Sequence, residues 1–265
     1  MENALPSFPH SRVSRDQRGV YTIKIHEAKR LNILSSAVIA GMTEAVNWVG
    51  AQADARAVVI TGSGEDAFVG GADIFEMAAL KTPADGRAFI TRLRHLCDSV
   101  MAVPVPTIAR ISGFCLGGGL ELAAACDIRL GTVSAVFGMP EVRVGIPSVI
   151  HAVLLPRLIG QGAANWLLLT GETITADQAL RWGFLQFACP PAELDALVEQ
   201  TIAPILASGP RAVRSQKSLL RCWQSETIEA GINRSVEAFG EAFTSTEPQD
   251  CMAPFLQRRL AKKDS

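Results

Sequence analysis

The chain has 265 residues, 48% of them hydrophobic and 19% charged, enough to build one well-packed core without disulfides or metal. Its 25 basic and 26 acidic residues leave a net charge of −1, which gives no electrostatic footprint for nucleic acid or an anionic membrane. The longest stretch free of Asp, Glu, Lys and Arg, Leu158–Gly171, falls short of the ~20 apolar residues of a membrane helix, and the first twenty residues carry no apolar leader. A cytoplasmic protein with no membrane partner is expected.

Residues 11–26 alternate around Gln17-Arg18-Gly19 and predict a β-hairpin. An amphipathic helix is predicted from Ser36, as its N-cap, to Ala53. Ala57-Val58-Val59-Ile60 reads as a short buried strand, closed by Thr61-Gly62-Ser63-Gly64. Gly70-Gly71 precede another helix start, and Pro83 opens a longer helix to Met101. A strand at 106–111 runs into a glycine cluster and then an apolar helical segment, Leu120–Ala125. Asp127-Ile128-Arg129-Leu130 is strand-like again; from Val149 onward helix dominates, with one strand expected at Phe184–Ala188. Strands alternating with helices predict an α/β fold built from βαβ-type units. No linker, low-complexity stretch or internal sequence repeat divides the chain. The expected organisation is a core of residues 1–205 followed by a helical, amphipathic extension of residues 206–265, which is a cap or an assembly surface.

Cys97, Cys115, Cys126, Cys189, Cys222 and Cys251 form no C-x-x-C pair, and His10, His26, His95 and His151 are widely spaced, so no metal site is expected. The cysteines read as reduced, packed small hydrophobes. Spacing alone leaves a Cys–His catalytic pair open.

Two glycine-rich turns, Phe68-Val69-Gly70-Gly71-Ala72-Asp73-Ile74 and Gly113-Phe114-Cys115-Leu116-Gly117-Gly118-Gly119-Leu120-Glu121, each precede a helical segment. Glycine lets the backbone approach a ligand closely, and a helix start offers unpaired N–H groups and a positive dipole end. Such a turn binds phosphate or holds an oxyanion; taken alone it is equally a tight strand–helix connection. The P-loop, the G-x-G-x-x-G fingerprint and the G-x-S-x-G nucleophile elbow are all absent. Glu121 enters one of the most apolar stretches of the chain, where a carboxylate is costly to bury unless it is hydrogen-bonded or functional. Glu141, after Phe137-Gly138-Met139-Pro140, reads by itself as an exposed turn glutamate. Two carboxylates meeting at one pocket beside backbone donors would suit proton transfer and water activation.

Together these residues resemble the crotonase (enoyl-CoA hydratase/isomerase) family. Residues 68–77 resemble its F-x-x-G-A-D-I-x-E-M signature, residues 113–123 with Cys126-Asp127 its second, and Phe137-Gly138-Met139-Pro140-Glu141 its third. Leu31-Asn32-Ile33-Leu34 and Phe255-Leu256-Gln257-Arg258-Arg259 fit its start and end, so the resemblance covers nearly the whole chain. It implies a spiral of ββα repeats with a helical C-terminal region that builds trimers or hexamers. It implies no permanently bound cofactor, coenzyme A being part of the substrate. By motif position the oxyanion donors are the N–H groups of Ala72 and Gly118. The resemblance implies that Glu121 and Glu141 hold one water between them, with Glu141 supplying a proton to Cα. Lys29, Arg30, Leu31, Gly70, Asp73, Ile74, Gly117, Pro140, Val149 and His151 are expected around the acyl-CoA, and Lys29, Arg30 and the 258–263 tail near its phosphates.

Two glutamates at these positions resemble the hydratases of the family, while isomerases keep only the Glu141-type residue. Where hydratases continue I-P-G-x-G-G-T-Q-R, this chain has Ile146-Pro147-Ser148-Val149-Ile150-His151-Ala152-Val153-Leu154, which disfavours a long fatty acyl group. This variant most resembles the branch acting on 3-(methylthio)acryloyl-CoA. The alternatives are a general short-chain hydratase, an acyl-CoA hydrolase or isomerase of the same fold, and a non-catalytic RNA-binding relative, the last opposed by the net charge.

Overall fold

The computed structural model describes residues 5–261, with side chains to Gln257; Arg258 and Arg259 as side chains, and Lys262 and Lys263 altogether, lie outside the described residues. The predicted hairpin forms as β1 (Ser11–Arg15) and β2 (Val20–Ile25), paired antiparallel from Ser11↔Ile25 to Arg15↔Tyr21. Helix α1 (Ser36–Gly50) follows. Its N-cap is Ser35 rather than Ser36: the Ser35 hydroxyl accepts from the Val38 N–H. Ser36 is instead held by Glu76, whose Oε2 accepts from the Ser36 N–H at 3.0 Å and its hydroxyl at 2.6 Å. The helix also stops short of Ala53, at the Gly50–Ala51 cap.

From here the chain winds as a spiral, each turn giving one strand to each of two sheets. The pairs are β3 (Ala57–Thr61) with β4 (Ala67–Val69), β5 (Thr107–Ile111) with β6 (Phe114–Leu116), and β7 (Ile128–Thr132) with β8 (Val136–Gly138). Between them lie α2 (Ile74–Ala78), α3 (Pro83–Ala102) and α4 (Gly118–Ala125). A Thr82–Asp85 capping box and Pro83 in the first turn start α3 where the sequence places it. The first sheet gains β10 (Phe187–Cys189), three residues later than the strand expected from Phe184, and runs β1-β2-β3-β5-β7-β10, parallel beyond β2. The second runs β4-β6-β8-β9, with β9 (Thr173–Thr175) antiparallel to β8.

Between the sheets and helices lies the main core, which includes Ile60, Phe68, Leu93, Leu96, Leu120 and Phe137, all essentially without exposure. The other face of the first sheet, Val20, Val59, Ile108 and Leu130, is closed by Leu194, Val198 and Ile202 of α8 (Leu194–Ala207). Strands β3 and β5 are therefore buried on both faces and largely apolar, Arg110 of β5 being paired with Glu65 and Asp195.

Two further helices, α5 (Leu155–Ile159) and α6 (Gln161–Thr170), precede β9, and α7 (Ala176–Arg181) follows it. After α8 come α9 (Pro210–Cys222), α10 (Ile228–Ala242) and α11 (Glu247–Ala261), and the expected limit after residue 205 falls in the last turn of α8. Helix α9 is tied to the core by Lys217, 5% exposed, whose ammonium donates to the Val105 carbonyl at 2.8 Å and pairs with Asp127 at 2.7 Å. Arg214 donates to the carbonyls of Ala53 and Ala55. Among the described residues no helix is long and apolar enough to cross a membrane. All six cysteines are free.

Candidate active site

The site is built where three consecutive turns of the spiral bring their strand ends together. At the first, Asn32 is buried at φ +54, and its amide donates to the carbonyls of Ser63 (3.0 Å) and Ala67 (2.7 Å). That anchor lets the Leu31 carbonyl accept from Gly70 N–H at 2.8 Å and lays Leu34 beside Ala72. Leu34 uses its N–H on Gly71 and its carbonyl on Asp73. The Ala72 N–H, pointing the other way along this parallel bridge, donates to no backbone carbonyl.

At the second turn, Gly117 sits at φ +52, ψ −123, a conformation open only to glycine, and delivers the chain into α4. Gly118 opens α4, so its N–H has no partner within the helix. A methyl group placed on Gly118 would stand 3.9 Å from the Ala72 nitrogen; the two free amides are neighbours at a helix start. One turn into α4, Glu121 points into the interior with 3% exposure.

The third turn is a 3-10 segment, Pro140–Val144, opened by Pro140. It carries Glu141, which is half-buried, against the expectation of an exposed turn residue, and whose Oε1 lies so close over Gly117 that a methyl there would collide with it. Residues 145–150 then curl back. Ser148 Oγ donates to Glu141 Oε2 at 2.8 Å, and a second 3-10 segment, Ile150–Leu154, presents the Ala152 N–H to Glu121 Oε1 at 3.1 Å.

Burial sets the electrostatics. Desolvation lifts the Glu121 carboxyl to about 8; the Ala152 N–H counters this in part, and the nearby Glu141 carboxylate adds to the rise. Desolvation also raises Glu141, opposed by its own backbone amide and the Ser148 hydroxyl. Burial, with a smaller push from the Glu141 charge, thus favours the protonated form of Glu121. Cys97 lies behind Glu121, and burial pushes its thiol far up, as it does that of Cys115; Cys126 is pushed to about 12. None of these three thiols is the nucleophile that a Cys–His pair requires.

The remaining expected site residues divide. Gly70, Gly117 and Pro140 shape the turns just described, and Ile74 lies half-exposed on α2, beside Phe75. Asp73 is 1% exposed: it caps α2 through the N–H groups of Phe75 and Glu76 and pairs with Lys29. That partner, first, and the capping amides hold its carboxyl below the usual range against its burial. Lys29 thus spends its charge on Asp73 and stands over the Phe75 ring, its ammonium still largely exposed; Arg30 is exposed nearby. Leu31 takes φ +64 to make its turn. Val149 is partly exposed, and His151 is buried with its Nε2 on Asp98 of α3. Sequence reasoning gave no role to Asn32, Ser148 or Ala152. Their signal lay in the signatures' flanks, in residues whose partners are distant in the chain.

Comparison with known proteins agrees with this architecture. The enoyl-CoA hydratase/isomerase family model matches residues 15–263. The short-chain-enoyl-CoA hydratase of Clostridium acetobutylicum is 35% identical over 241 residues, covering 91% of this chain and 92% of that protein. The crotonyl-CoA hydratase of Syntrophomonas wolfei is 35% identical over 238 residues, 89% of this chain and 91% of its own. The crystal structure of an enoyl-CoA hydratase from Mycobacterium smegmatis superposes with a TM-score of 0.90 at 29% identity, over 94% of this chain and 97% of that one. Fold, signatures and relatives agree: the chain belongs to the enoyl-CoA hydratase/isomerase family, the crotonases.

Proposed function

We propose that this protein hydrates the α,β double bond of a short enoyl-CoA thioester. The observation that carries the reading is the meeting of a buried carboxyl, Glu121, and a half-buried one, Glu141, beside a helix start where the Ala72 and Gly118 amides have no backbone partner. In this reading the two amides hold the thioester oxygen, and their grip tightens as it gains enolate charge; each such donor contributes roughly a hundred- to a thousand-fold in rate. A water between the carboxyls adds its oxygen to Cβ and gives its proton to the ionised carboxyl, while the protonated partner supplies the proton to Cα. The π bond is lost, one C–O and one C–H bond form, and the pair ends with one proton, as it began. Burial puts the resting proton on Glu121. For Glu141 to serve Cα, that proton crosses between the carboxyls through the shared water.

The finer proposal is 3-(methylthio)acryloyl-CoA as substrate. It rests on the Ser148-Val149-Ile150-His151 segment, bulkier than the glycine-rich stretch common in hydratases. Hydration at the sulfur-bearing carbon gives a hemithioacetal that expels methanethiol and leaves an aldehyde-bearing thioester. A second water releases CoA, and loss of carbon dioxide then gives acetaldehyde. Turnover of crotonyl-CoA and 3-(methylthio)acryloyl-CoA, with enoyl absorbance, thiol release and free CoA followed together, separates this from a general short-chain hydratase. A shifted double bond would mark an isomerase. Unchanged turnover in either Glu121→Ala or Glu141→Ala would overturn the assigned roles.

We also propose self-association as a trimer or a hexamer. Ile228, Ile232, Val236, Phe239 and Phe243 line α10 at helical spacing and are exposed, Ile228 at 84%. Sedimentation of the full chain tests this; a monomer at micromolar concentration refutes it.

A further inference from the structure

Residues 148–152 reach both carboxyls at once. Ser148 holds Glu141, and the Ala152 amide, shared with the Val149 carbonyl at 2.9 Å, reaches Glu121 at 3.1 Å. Between them Ile150 sits at φ +41, a left-handed conformation that a β-branched side chain resists. A strained turn persists only where its surroundings over-determine it. Two side chains fix this turn to other elements: Ser148, on Glu141, and His151, which is 7% exposed with its Nε2 3.2 Å from Asp98 Oδ1 on α3. Its Nδ1 is buried with no partner, so the proton belongs on Nε2, as a donor to Asp98. An imidazole recruited for packing alone gains nothing from a buried, unpartnered nitrogen, since an apolar side chain fills the same space without that cost.

We propose that His151 is a positioning residue: pinned to Asp98, it holds the strained turn at Ile150 so that the Ala152 N–H stays on the Glu121 carboxyl. The proposal rests on the hydratase reading above. The charged groups around it are few. Asp98 and Arg94 of α3 face His151, while Glu141 and the Cys97 thiol face Glu121. Burial keeps the imidazole neutral by lowering its pKa, against the pull of Asp98.

The pin can be cut from the outside, because Asp98 is half-exposed and its loss leaves the core intact. In Asp98→Ala the turn relaxes and Glu121 loses the amide that favours its ionised form. Hydration should fall roughly tenfold or more in kcat with little change in KM, and the limb of the pH–rate profile reporting Glu121 should move to higher pH. His151→Gln, whose amide nitrogen can stand in place of Nε2, should keep most of the activity. Adding Ile150→Gly to Asp98→Ala should restore it, because glycine holds a positive φ without help. The wild type is assayed first on the enoyl-CoA panel. No hydration there overturns the functional reading. Hydration with an unmoved profile in folded Asp98→Ala, or no rescue by Ile150→Gly, overturns the role of His151 alone.

Discussion

Glu121 should cost the fold stability in a way that pH exposes. Its carboxyl titrates near 4.5 in an unfolded chain and is pushed to about 8 in the folded one by burial. Between those values the native protein keeps a proton that the unfolded chain has released, so stability falls as pH rises through this window. At about 1.4 kcal/mol per pH unit the penalty is absent below about pH 4.5, roughly 3 kcal/mol at pH 7 and about 5 kcal/mol above pH 8. Glu121→Gln keeps the size of the side chain and an oxygen for the Ala152 N–H, but cannot ionise. Variant and wild type should therefore unfold at nearly the same urea concentration at about pH 5. At pH 7 the variant should be more stable by roughly 3 kcal/mol and by more at about pH 8.5, while enoyl-CoA turnover falls by about a hundred-fold or more. Urea titrations at the three pH values, with protein concentration fixed because self-association shifts the midpoint, measure this directly. A variant whose stability follows the same pH dependence as the wild type, or which is weaker at pH 7, would refute the burial argument.

Three further substitutions probe the framework. Gly117→Ala forces a side chain into φ +52 and against Glu141 Oε1, so turnover should drop with a stability loss of roughly 1–3 kcal/mol; wild-type kcat in the variant would contradict the placement of Glu141. Gly119→Ala drives a methyl into the Val69 carbonyl and to 2.6 Å from Val69 Cβ, and α4 cannot retreat without opening the core. A loss of roughly 2–4 kcal/mol is expected, read as a lowered thermal midpoint. Lys217→Met removes a buried cation from the Val105 carbonyl and leaves Asp127 with the Thr107 amide and hydroxyl but without its ion-pair partner. It should loosen α9, costing roughly 1–3 kcal/mol and increasing proteolysis between α8 and α9.

The first sheet was legible because its strands are long enough, and buried enough, to stand out. Ala57–Thr61 and Thr107–Ile111 are five-residue, mostly apolar strands closed by glycine or serine turns, Arg110 alone bringing a charge. The second sheet was not legible. Its strands β4, β6, β8 and β9 are three residues each, too short for any period-2 pattern to accumulate, and β6 and β8 lie inside the signatures themselves. The repeat is structural rather than sequential for the same reason: each turn of the spiral needs only a buried strand, a tight corner and a second short strand, which many sequences satisfy. Helix ends were missed where a serine pair left the cap ambiguous. Ser35 caps α1 because Ser36 is occupied by Glu76, forty residues away.

The site divides along the same line. Gly117 and Glu121 were legible because each answers to a constraint written locally, a glycine turn before a helix and a carboxyl inside an apolar stretch; Gly118 as a donor and Glu141 as its companion came only from the family resemblance. Ser148 and Ala152, and the contact of His151 with Asp98 where only a place beside the acyl-CoA was expected, answer to constraints that exist only after folding, since Glu141, Glu121 and Asp98 are brought to them from other elements. The burial that makes the carboxyls useful also makes their geometry a matter of single hydrogen bonds. Two carboxyls beside each other in a low dielectric repel when both ionise and would turn toward solvent if free. Holding them there takes partners on a segment anchored to the rest of the fold, as this one is through the buried His151 and Ala152. The bulkier residues of this 148–152 segment therefore need not act on the acyl group alone; they also fix a backbone that glycines in its place would leave free to move.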